Sequence, residues 1–369
     1  MSVLGLIVNP VAGIGGRYAL KGSDDAAAVA RAVRDGALPV APMRARRALT
    51  VLKTLVPEIE VLAPAGGMGA ELMSEMGFSV TPLRHEPATP TTAADTRVAA
   101  MELAERHVDL LVFAGGDGTA RDVVGSVGTR VPVLGIPSGV KMRSAVFGTS
   151  PERSGEAAGR YLAHPDLFGL VEREVLDAAD AAGESEFFAI AMVPRVPDQL
   201  QRGKAAPGPS DDVALAGLCV EIARELESGR TYLFGPGTTT ERILRALGLE
   251  GTPLGVDAVR NGRLLAADLD EEGLLSLLAD GSKATLVLGV IGGQGFLLGR
   301  GNQQISARVL RRIGTDNIVI VAAASKVAAL DPPVLHVDVG DDEQERVLEG
   351  YQQVRVAPGR SFVLRVEAG

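Results

Sequence analysis

Residues 109–119 read DLLVFAGGDGT, an apolar segment that runs directly into a glycine-rich loop containing one acid, Asp117. The apolar part predicts a strand over 109–114, and residues 120–127 after the loop predict a helix. Short strands without charged residues are typical of sheets buried on both faces. A strand, a glycine loop and a helix in this order predict one unit of a doubly wound parallel sheet.

The same alternation extends outward from this unit over most of the chain. In the first part, strands are predicted at 3–8, 59–62, 78–82 and 131–136, and helices at 42–55 and 91–107, the latter starting from threonine caps. Further on, strands are predicted at 187–193, 231–234, 254–256 (ending at Asp257), 284–291 and 317–322, and helices at 213–226, 241–247 and 306–313. The fold class is therefore α/β, with an N-terminal doubly wound parallel sheet and a second α/β lobe whose C-terminal strands return to an existing sheet.

The domain organisation follows from these segments. We predict an N-terminal α/β domain over 1–168, a second lobe with a β-rich start over 169–335, and a β-strand tail over 336–369. The stretch QRGKAAPGPSDD, 201–212, is polar and rich in proline and glycine, so it is predicted to be a linker.

Composition limits the class of protein. The 369 residues include 45 glycines and no tryptophan, and the 46% hydrophobic and 22% charged residues exclude a disordered chain. A net charge of −9 argues against a non-specific nucleic-acid binder. Cys219 is the single cysteine, so an intrachain disulfide and a cysteine-based zinc site are excluded. No uncharged apolar run reaches the ~20 residues of a membrane span, and the start MSVLGLIVNP predicts a strand instead of a signal peptide. We expect a soluble cytoplasmic protein without membrane or nucleic-acid partners; a homodimer is the simplest expectation.

Three glycine loops follow predicted strands in the first part and predict phosphate binding at the carboxyl ends of those strands. Asp117, the only acidic residue in GGDGT, is predicted to be catalytic, because a carboxylate beside a phosphate site needs a hydroxyl or a metal as partner. Lys141, in PSGVKMRS, is the second predicted catalytic residue, a point charge for a phosphate, with Arg143 as a weaker candidate. Thr119 is predicted to cap the helix and to bind phosphate. The other predicted phosphate-binding residues are Asn9, Gly13, Gly15, Gly16, Gly115, Gly116, Gly118, Ser138 and Gly139.

The second lobe has glycine loops of its own. GPGTTT predicts another phosphate cradle with three hydroxyls, formed by Gly235, Gly237, Thr238, Thr239 and Thr240. Asp257, about 20 residues further on, is predicted to accept hydrogen bonds from ribose hydroxyls. Gly293, Gly295, Arg300 and Asn302, in GGQGFLLGRGNQQIS, are predicted to bind a base edge or a phosphate. The alternatives are a tight turn at GGDGT, a flexible connection at NPVAGIGG (residues 9–16) and a glycine-rich packing domain in the second lobe.

Together these loops resemble the NAD kinase and diacylglycerol kinase-like superfamily. The strings GIPSGVKMRSAVF, RVPDQLQRGK, GPGTTTERI and GGQGFLLGRGNQQIS are most similar to the ATP-NAD kinase-like family, in the branch that includes the acetoin-catabolism protein X. The resemblance implies that Asp117 contacts the acceptor hydroxyl or its metal, that the neighbouring glycines bind phosphate, and that ATP and NAD are substrates. Mg²⁺ is inferred from phosphate chemistry, and the sequence names no metal ligands.

One departure from the family leaves the acceptor open. NAD kinases carry an asparagine followed by an acid, whereas Asn9, Asn261, Asn302 and Asn317 are the only asparagines here and none precedes Asp or Glu. Three hypotheses remain: a kinase that uses ATP or polyphosphate to phosphorylate a hydroxyl of NAD, a kinase of another nucleoside or polyol, and a non-catalytic nucleotide-binding accessory protein of the acetoin-catabolism type.

Overall fold

The computed structural model describes residues 2–16, 18, 31, 34, 37, 39–139, 142–179, 185–196, 209–291, 295–330 and 332–368. Contacts divide the chain into two compact units. One consists of residues 1–14 and 22–203, and the other of residues 15–21 and 204–369.

The first unit alternates strands and helices as the sequence predicts. Its elements are β1 (Val3–Val8), α1 (Ala41–Leu55), β2 (Glu60–Ala63), α2 (Ala70–Glu75), β3 (Ser79–Pro82), α3 (Ala93–Glu105), β4 (Leu110–Gly115), α4 (Asp117–Val127), β5 (Val133–Pro137), α5 (Pro151–Ala163), β6 (Leu170–Ala179) and β7 (Ser185–Pro194). Thr92 precedes α3 and forms a capping box with Asp95, which confirms the predicted threonine cap.

Five of these strands form one parallel sheet in the order β3-β2-β1-β4-β5. The strand order reverses between β1 and β4, because the chain builds outward from β1 in one direction and from β4 in the other. The predicted doubly wound parallel sheet is confirmed. In such a sheet, the crevice at the carboxyl ends of the two central strands is where ligands bind.

Helix α4 starts earlier than the sequence suggested. It begins at Asp117 instead of residue 120, and Gly116 is its N-cap residue with an extended backbone. Thr119 is therefore inside the first turn, so the prediction that it caps the helix is wrong. No side chain caps this end, and the first N–H groups of the helix have no partner within the helix itself.

The antiparallel pair β6–β7 contributes to the core of the first unit. Val175, Ala191 and Val193 are buried in the same core as the strands of the parallel sheet. The division of the chain near residue 203 thus differs from the boundary at 168/169 drawn from sequence, because the apolar side of this hairpin finds its partners in the first unit. Of the predicted linker, residues 201–208 lie outside the described residues, and the rest enters a helix at Pro209.

The second unit is a further α/β lobe. Its elements are α6 (Pro209–Glu225), β8 (Thr231–Phe234), α7 (Thr238–Ala246), β9 (Asp257–Arg260), β10 (Arg263–Ala266), α8 (Glu271–Leu277), β11 (Ala284–Gly289), β12 (Phe296–Leu298), α9 (Ala307–Ile313), β13 (Ile318–Val321), α10 (Ala324–Ala328), β14 (Val334–Val337), α11 (Asp342–Leu348), β15 (Gly350–Ala357) and β16 (Arg360–Ala368). Alternate residues of its strands enter two cores: Leu233 and Leu286 lie in one, and Phe234 and Val287 in the other. The sheet is therefore covered on both faces.

The strands of this unit form a mixed sheet in the order β10-β9-β8-β11-β13-β15-β16-β14-β12. β8, β11 and β13 are parallel, and the antiparallel hairpin β15–β16 joins them through β13. The prediction that the C-terminal strands return to an existing sheet is confirmed. A bridge from Ile291 to Phe296 also links the segment after β11 to β12, at the end of the sheet order.

Several boundaries in this unit differ from the sequence predictions, two of them beside the GPGTTT loop and Asp257. The strand predicted over 254–256 is instead β9, which begins at Asp257 and runs antiparallel to β8. The helix predicted from residue 241 begins at Thr238. Among the residues that the structure describes, no helix combines the length and apolar character that a bilayer crossing requires.

Candidate functional site

Asn9 connects the carboxyl ends of β1 and β4 at the point where the strand order reverses. Its N–H donates to Ala114 O at 3.0 Å, and its Nδ2 donates to Thr119 Oγ1 at 3.0 Å. Its Oδ1 accepts from the N–H of Val11 at 3.2 Å. Asn9 thus holds the loop after β1 against the first turn of α4.

Three glycine loops pack against one another at this edge of the sheet. Gly13 has φ +85°, and a Cβ there would lie 2.6 Å from Ser138 O. A Cβ on Gly139 would lie 2.5 Å from Gly116 Cα, so only glycine allows these two backbones to approach so closely. Ser138 N donates to Gly115 O at 2.9 Å. The structure therefore brings together Asn9, Gly13, the GGDGT loop, Ser138 and Gly139. We name this group the glycine cluster.

Gly118 differs from its neighbours in the glycine cluster. It is exposed, and a Cβ placed on it would meet nothing within 4 Å. It lies in the uncapped first turn of α4, where N–H groups and the helix dipole favour an anion. The backbone beside Gly118 is therefore the part of GGDGT that is open to a phosphate, whereas Gly116 is needed for packing.

Asp117 is half-buried at the first position of α4. Its Oδ2 accepts from Arg143 N at 2.7 Å, and its Oδ1 accepts from Ser144 N at 3.0 Å. Burial raises the pKa of Asp117 above its ordinary value, while hydrogen bonds from Ser144 and Arg143 and the Arg143 charge act in the opposite direction. A carboxylate with a raised pKa is better suited to accept a proton near neutral pH than an ordinary aspartate.

Two residues that contact Asp117 have a larger role at this site than the sequence analysis assigned to them. Ser144 was not predicted at all, and Arg143 was only a weak candidate, yet both hold the Asp117 carboxylate. They lie 26 and 27 residues beyond Asp117, so no local spacing pattern links them to it.

Arg44 is a further residue that sequence reasoning missed. It lies on the buried face of α1 with 8% of its surface exposed, and its Nη1 donates to Pro137 O at 2.9 Å. This bond holds the end of β5, from which Ser138 and Gly139 follow. A signal did exist, since a charged residue interrupts the apolar stripe of Ala41, Ala45 and Ala48.

Other predicted residues are not part of the glycine cluster as described. Lys141 and Gly293 lie outside the described residues. Gly15 and Gly16 are buried, and their contacts place them in the second unit.

In the second unit, GPGTTT repeats the arrangement of GGDGT. Gly237 is the N-cap residue of α7, and its N–H donates to Pro253 O at 2.9 Å. Thr240 occupies the third helical position, as Thr119 does in α4, and its Oγ1 lies 2.6 Å from Gly235 O and 2.8 Å from Gly237 O. Thr239 and Thr240 are buried, so Thr238 is the hydroxyl of the three that is exposed.

The remaining polar residues of the second unit that were predicted to bind ligand make contacts within the protein itself. Asp257 is 1% exposed, and its carboxylate accepts from Thr252 N and Thr252 Oγ1, each at 2.6 Å, and from Asp268 N at 3.0 Å. The prediction that it ends a strand is wrong. Its ribose-binding role stays a prediction, and these bonds give the carboxylate a structural role.

The loop after β12 is likewise packed internally. The buried Arg300 guanidinium stacks 4.5 Å from the centre of the Phe296 ring. Asn302 accepts from Gly299 N at 2.8 Å and donates to Leu297 O at 2.9 Å. A Cβ on Gly295 would lie 2.8 Å from Val334 O. These contacts fold the loop, and nucleotide binding by Arg300, Asn302 and Gly295 stays a prediction.

The described residues do not fit a protein-held Mg²⁺ site. Within the described ranges, no three or more His, Cys, Asp or Glu side chains come together as metal ligands would. Both oxygens of Asp117 accept backbone N–H groups. A Mg²⁺ ion commonly keeps its waters and binds through substrate phosphates, so any such ion would arrive with the nucleotide.

Solved structures similar to this chain share little of its sequence. A Bacillus anthracis str. Sterne protein described as a diacylglycerol kinase has a TM-score of 0.26 and 16% identity, covering 50% of this chain and 46% of that one. MurG of Acinetobacter baumannii has a TM-score of 0.23 and 12% identity, covering 94% of this chain and 74% of that one. The match thus spans less than half of the B. anthracis protein, and scores this low do not bear on function. No curated protein matches the chain.

Family models give a clearer result. The model of the ATP-NAD kinase N-terminal domain matches residues 4–166, which include the glycine cluster and Asp117. The model of the ATP-NAD kinase C-terminal domain matches residues 227–366. Because both domains of one family match in order over most of the chain, this protein belongs to the ATP-NAD kinase family.

Proposed function

We propose that the protein transfers a phosphoryl group from ATP, or from polyphosphate, to a hydroxyl of NAD and so forms NADP. The observation that carries the proposal is the position of Asp117, at the uncapped start of α4 and at the carboxyl edge where the strand order of the sheet reverses. Membership of the ATP-NAD kinase family supports the reaction class.

The first turn of α4 would hold phosphate oxygens. Its N–H groups are uncapped by side chains, and Gly118 leaves the backbone open. Phosphoryl transfer demands mainly positioning and charge stabilisation, which such N–H groups supply. Lys141 would add a positive charge in the same loop as Ser138 and Gly139.

Asp117 would act on the acceptor. The acceptor oxygen attacks the γ-phosphorus, the bond from that phosphorus to the β–γ bridging oxygen breaks, and ADP leaves when ATP is the donor. The hydroxyl proton passes to the Asp117 carboxylate, whose raised pKa suits a general base. Each carboxylate oxygen that accepts one N–H retains a further lone pair for this hydrogen bond.

The test is NADP formation by the full chain with NAD, Mg²⁺ and either ATP or polyphosphate. We expect NADP from the natural sequence, and a loss of at least about 100-fold in kcat for Asp117→Asn, since removal of a general base costs on the order of 10²–10⁴. Absence of NADP above the blank from folded protein with both donors would refute the proposal.

One sequence observation favours a second acceptor class. The chain lacks the asparagine–acid pair with which NAD kinases grip the dinucleotide. A screen of ATP consumption over nucleosides and polyols, run beside NAD, would detect such an acceptor. A response to NAD alone would dismiss it.

A further inference from the structure

Ser144 lies, fully buried, between the Asp117 carboxylate and strand β6. Its N–H donates to Asp117 Oδ1 at 3.0 Å, and its hydroxyl is among the groups that lower the pKa of that carboxyl against the effect of burial. Its Oγ accepts from Leu176 N at 3.0 Å. One small side chain thus connects the start of α4 to a strand of the hairpin β6–β7.

The direction of one of these hydrogen bonds is fixed by its donor. The Leu176 N–H can only donate, so the Ser144 oxygen must accept from it and the hydroxyl proton must point elsewhere. Two acceptors are available to that proton: Leu176 O, to which the hydroxyl donates over 3.5 Å, and the Asp117 carboxylate, which is the stronger acceptor when it is ionised. A hydroxyl that accepts one hydrogen bond also donates a stronger one, because the two polarise each other.

The backbone that carries Ser144 is held on both sides. Ala145 N donates to Glu174 O of β6 at 2.9 Å, and Gly135 N of β5 donates to Val146 O at 2.8 Å. A rigid support matters here, since a functional group keeps its geometry only if the residues behind it are locked in place.

Both oxygens of the Asp117 carboxylate consequently accept hydrogen bonds from two adjacent residues. Arg143 N holds Oδ2, and Ser144 holds Oδ1 through its backbone N–H. Rotation of the carboxylate about its Cβ–Cγ bond would break these bonds together. The contribution of the Ser144 side chain can be measured separately from that of its backbone N–H, because substitution to alanine removes the hydroxyl and keeps the N–H.

We propose that Ser144 is a positioning residue that fixes the orientation of the Asp117 carboxylate toward the acceptor hydroxyl. The inference rests on the proposed function for its kinetic part, while the coupling between the two side chains can be measured without any turnover.

The first experiment is a double-mutant cycle on the folded chain. Urea unfolding midpoints are measured for the natural sequence, Ser144→Ala, Asp117→Asn and the double variant. If the hydroxyl acts on the carboxylate, the midpoint loss in the double variant differs from the sum of the two single losses. Additive losses would overturn the inference.

Ser154 provides the matched control. It is also a buried serine of the first unit, and its hydroxyl lies 3.0 Å from Gly135 O and 3.0 Å from Ser150 O. Ser154→Ala should lower the midpoint and add to Asp117→Asn without coupling. Coupling of equal size for Ser154 would show that the effect is general destabilisation and would overturn the assignment to Ser144.

The second experiment separates kcat from KM for NADP formation. We expect Ser144→Ala to lower kcat by up to about 100-fold, as small misplacements of a reacting group do, with KM for NAD and ATP within about twofold. Ser144→Cys keeps a donor of similar size but weaker strength, so its kcat should be intermediate; it also serves if the alanine variant does not fold. A kcat equal to that of the natural sequence in both variants would overturn the inference.

The two proposals can fail separately. If no variant forms NADP and the cycle still shows coupling, the proposed function fails and the role of Ser144 in holding Asp117 stands. If the natural sequence forms NADP and Ser144→Ala is additive and fully active, the proposed function stands and this inference fails.

Discussion

At the scale of single residues, Asp117 combines two opposed requirements. Its burial at the start of α4 disfavours the charge, and the N–H groups of Arg143 and Ser144 favour it. The net effect is a raised pKa, so the ionised carboxylate is less favourable in the folded protein than it would be in water. Such a cost is typical of a group kept for chemistry.

This balance predicts how stability depends on pH. Because the folded pKa of Asp117 exceeds its ordinary value of 3.8, the destabilising contribution is present at neutral pH and disappears as pH falls through the folded pKa toward 3.8. The free energy of unfolding of the natural sequence should therefore rise relative to Asp117→Asn as pH falls from 7 to 4. Urea unfolding of both proteins across this range measures it.

In the difference between the natural sequence and Asp117→Asn, the contributions of other titratable groups to the free energy of unfolding cancel. Asp95 has a lowered pKa, because it accepts from the N–H groups of Ala88 and Thr92, so its stabilising contribution is lost in acid. That loss is common to both proteins and cancels in the difference. A difference that stays constant, or falls, between pH 7 and pH 4 would contradict the raised pKa of Asp117.

At the scale of elements, the glycine cluster gives two glycines different roles. Gly139 is packed against the backbone of Gly116, and Gly118 faces open space in the first turn of α4. A matched pair of alanine substitutions can therefore separate packing from ligand access.

Gly139→Ala should destabilise the protein by about 1–3 kcal/mol, since the new methyl group must displace backbone. Gly118→Ala should keep stability or raise it by up to about 1 kcal/mol, because alanine favours a helix over glycine. If phosphate binds beside Gly118, this second variant loses NADP formation without losing stability. Thermal unfolding and the NADP assay on both variants check this, and equal destabilisation of the two would contradict the packing assignment.

Elements were predicted well wherever the signal was local. Strands β1, β4 and β8 and the cap at Thr92 follow from short apolar runs and a capping residue. The start of α4 at Asp117 and the antiparallel direction of β9 were missed. Both depend on how a glycine loop or a turn orients the segment that follows it. The hydrophobic periodicity of a sequence carries no information about that orientation.

At the scale of the whole molecule, a chain with a net charge of −9 is proposed to bind anionic nucleotides. Local N–H donors and a helix dipole can outweigh overall charge, because their field is strongest within the first turn. The family assignment spans both units, with the N-terminal model over 4–166 and the C-terminal model over 227–366.

Binding to the folded chain predicts a measurable shift. ATP or NAD at about 100 times its Kd should raise the free energy of unfolding by about 2.7 kcal/mol, since a ligand that binds only the folded state stabilises it. Thermal-shift titrations with each nucleotide measure this, with Asp117→Asn as a variant that should retain the ATP shift. Shifts with both nucleotides and no turnover would favour the accessory protein, whereas no shift with either would contradict nucleotide binding.

The sequence by itself determined the strand–loop–helix alternation and the position of glycine loops after β1, β4 and β5, because these depend on neighbouring residues. Only the tertiary structure decided which groups meet: Arg143 and Ser144 on Asp117, Arg44 on Pro137 O across 93 residues, and Thr252 with Asp268 N on Asp257. These contacts join segments brought together by sheet order and turns. Composition and spacing cannot specify them, since a buried polar group takes whichever partner the folded backbone supplies.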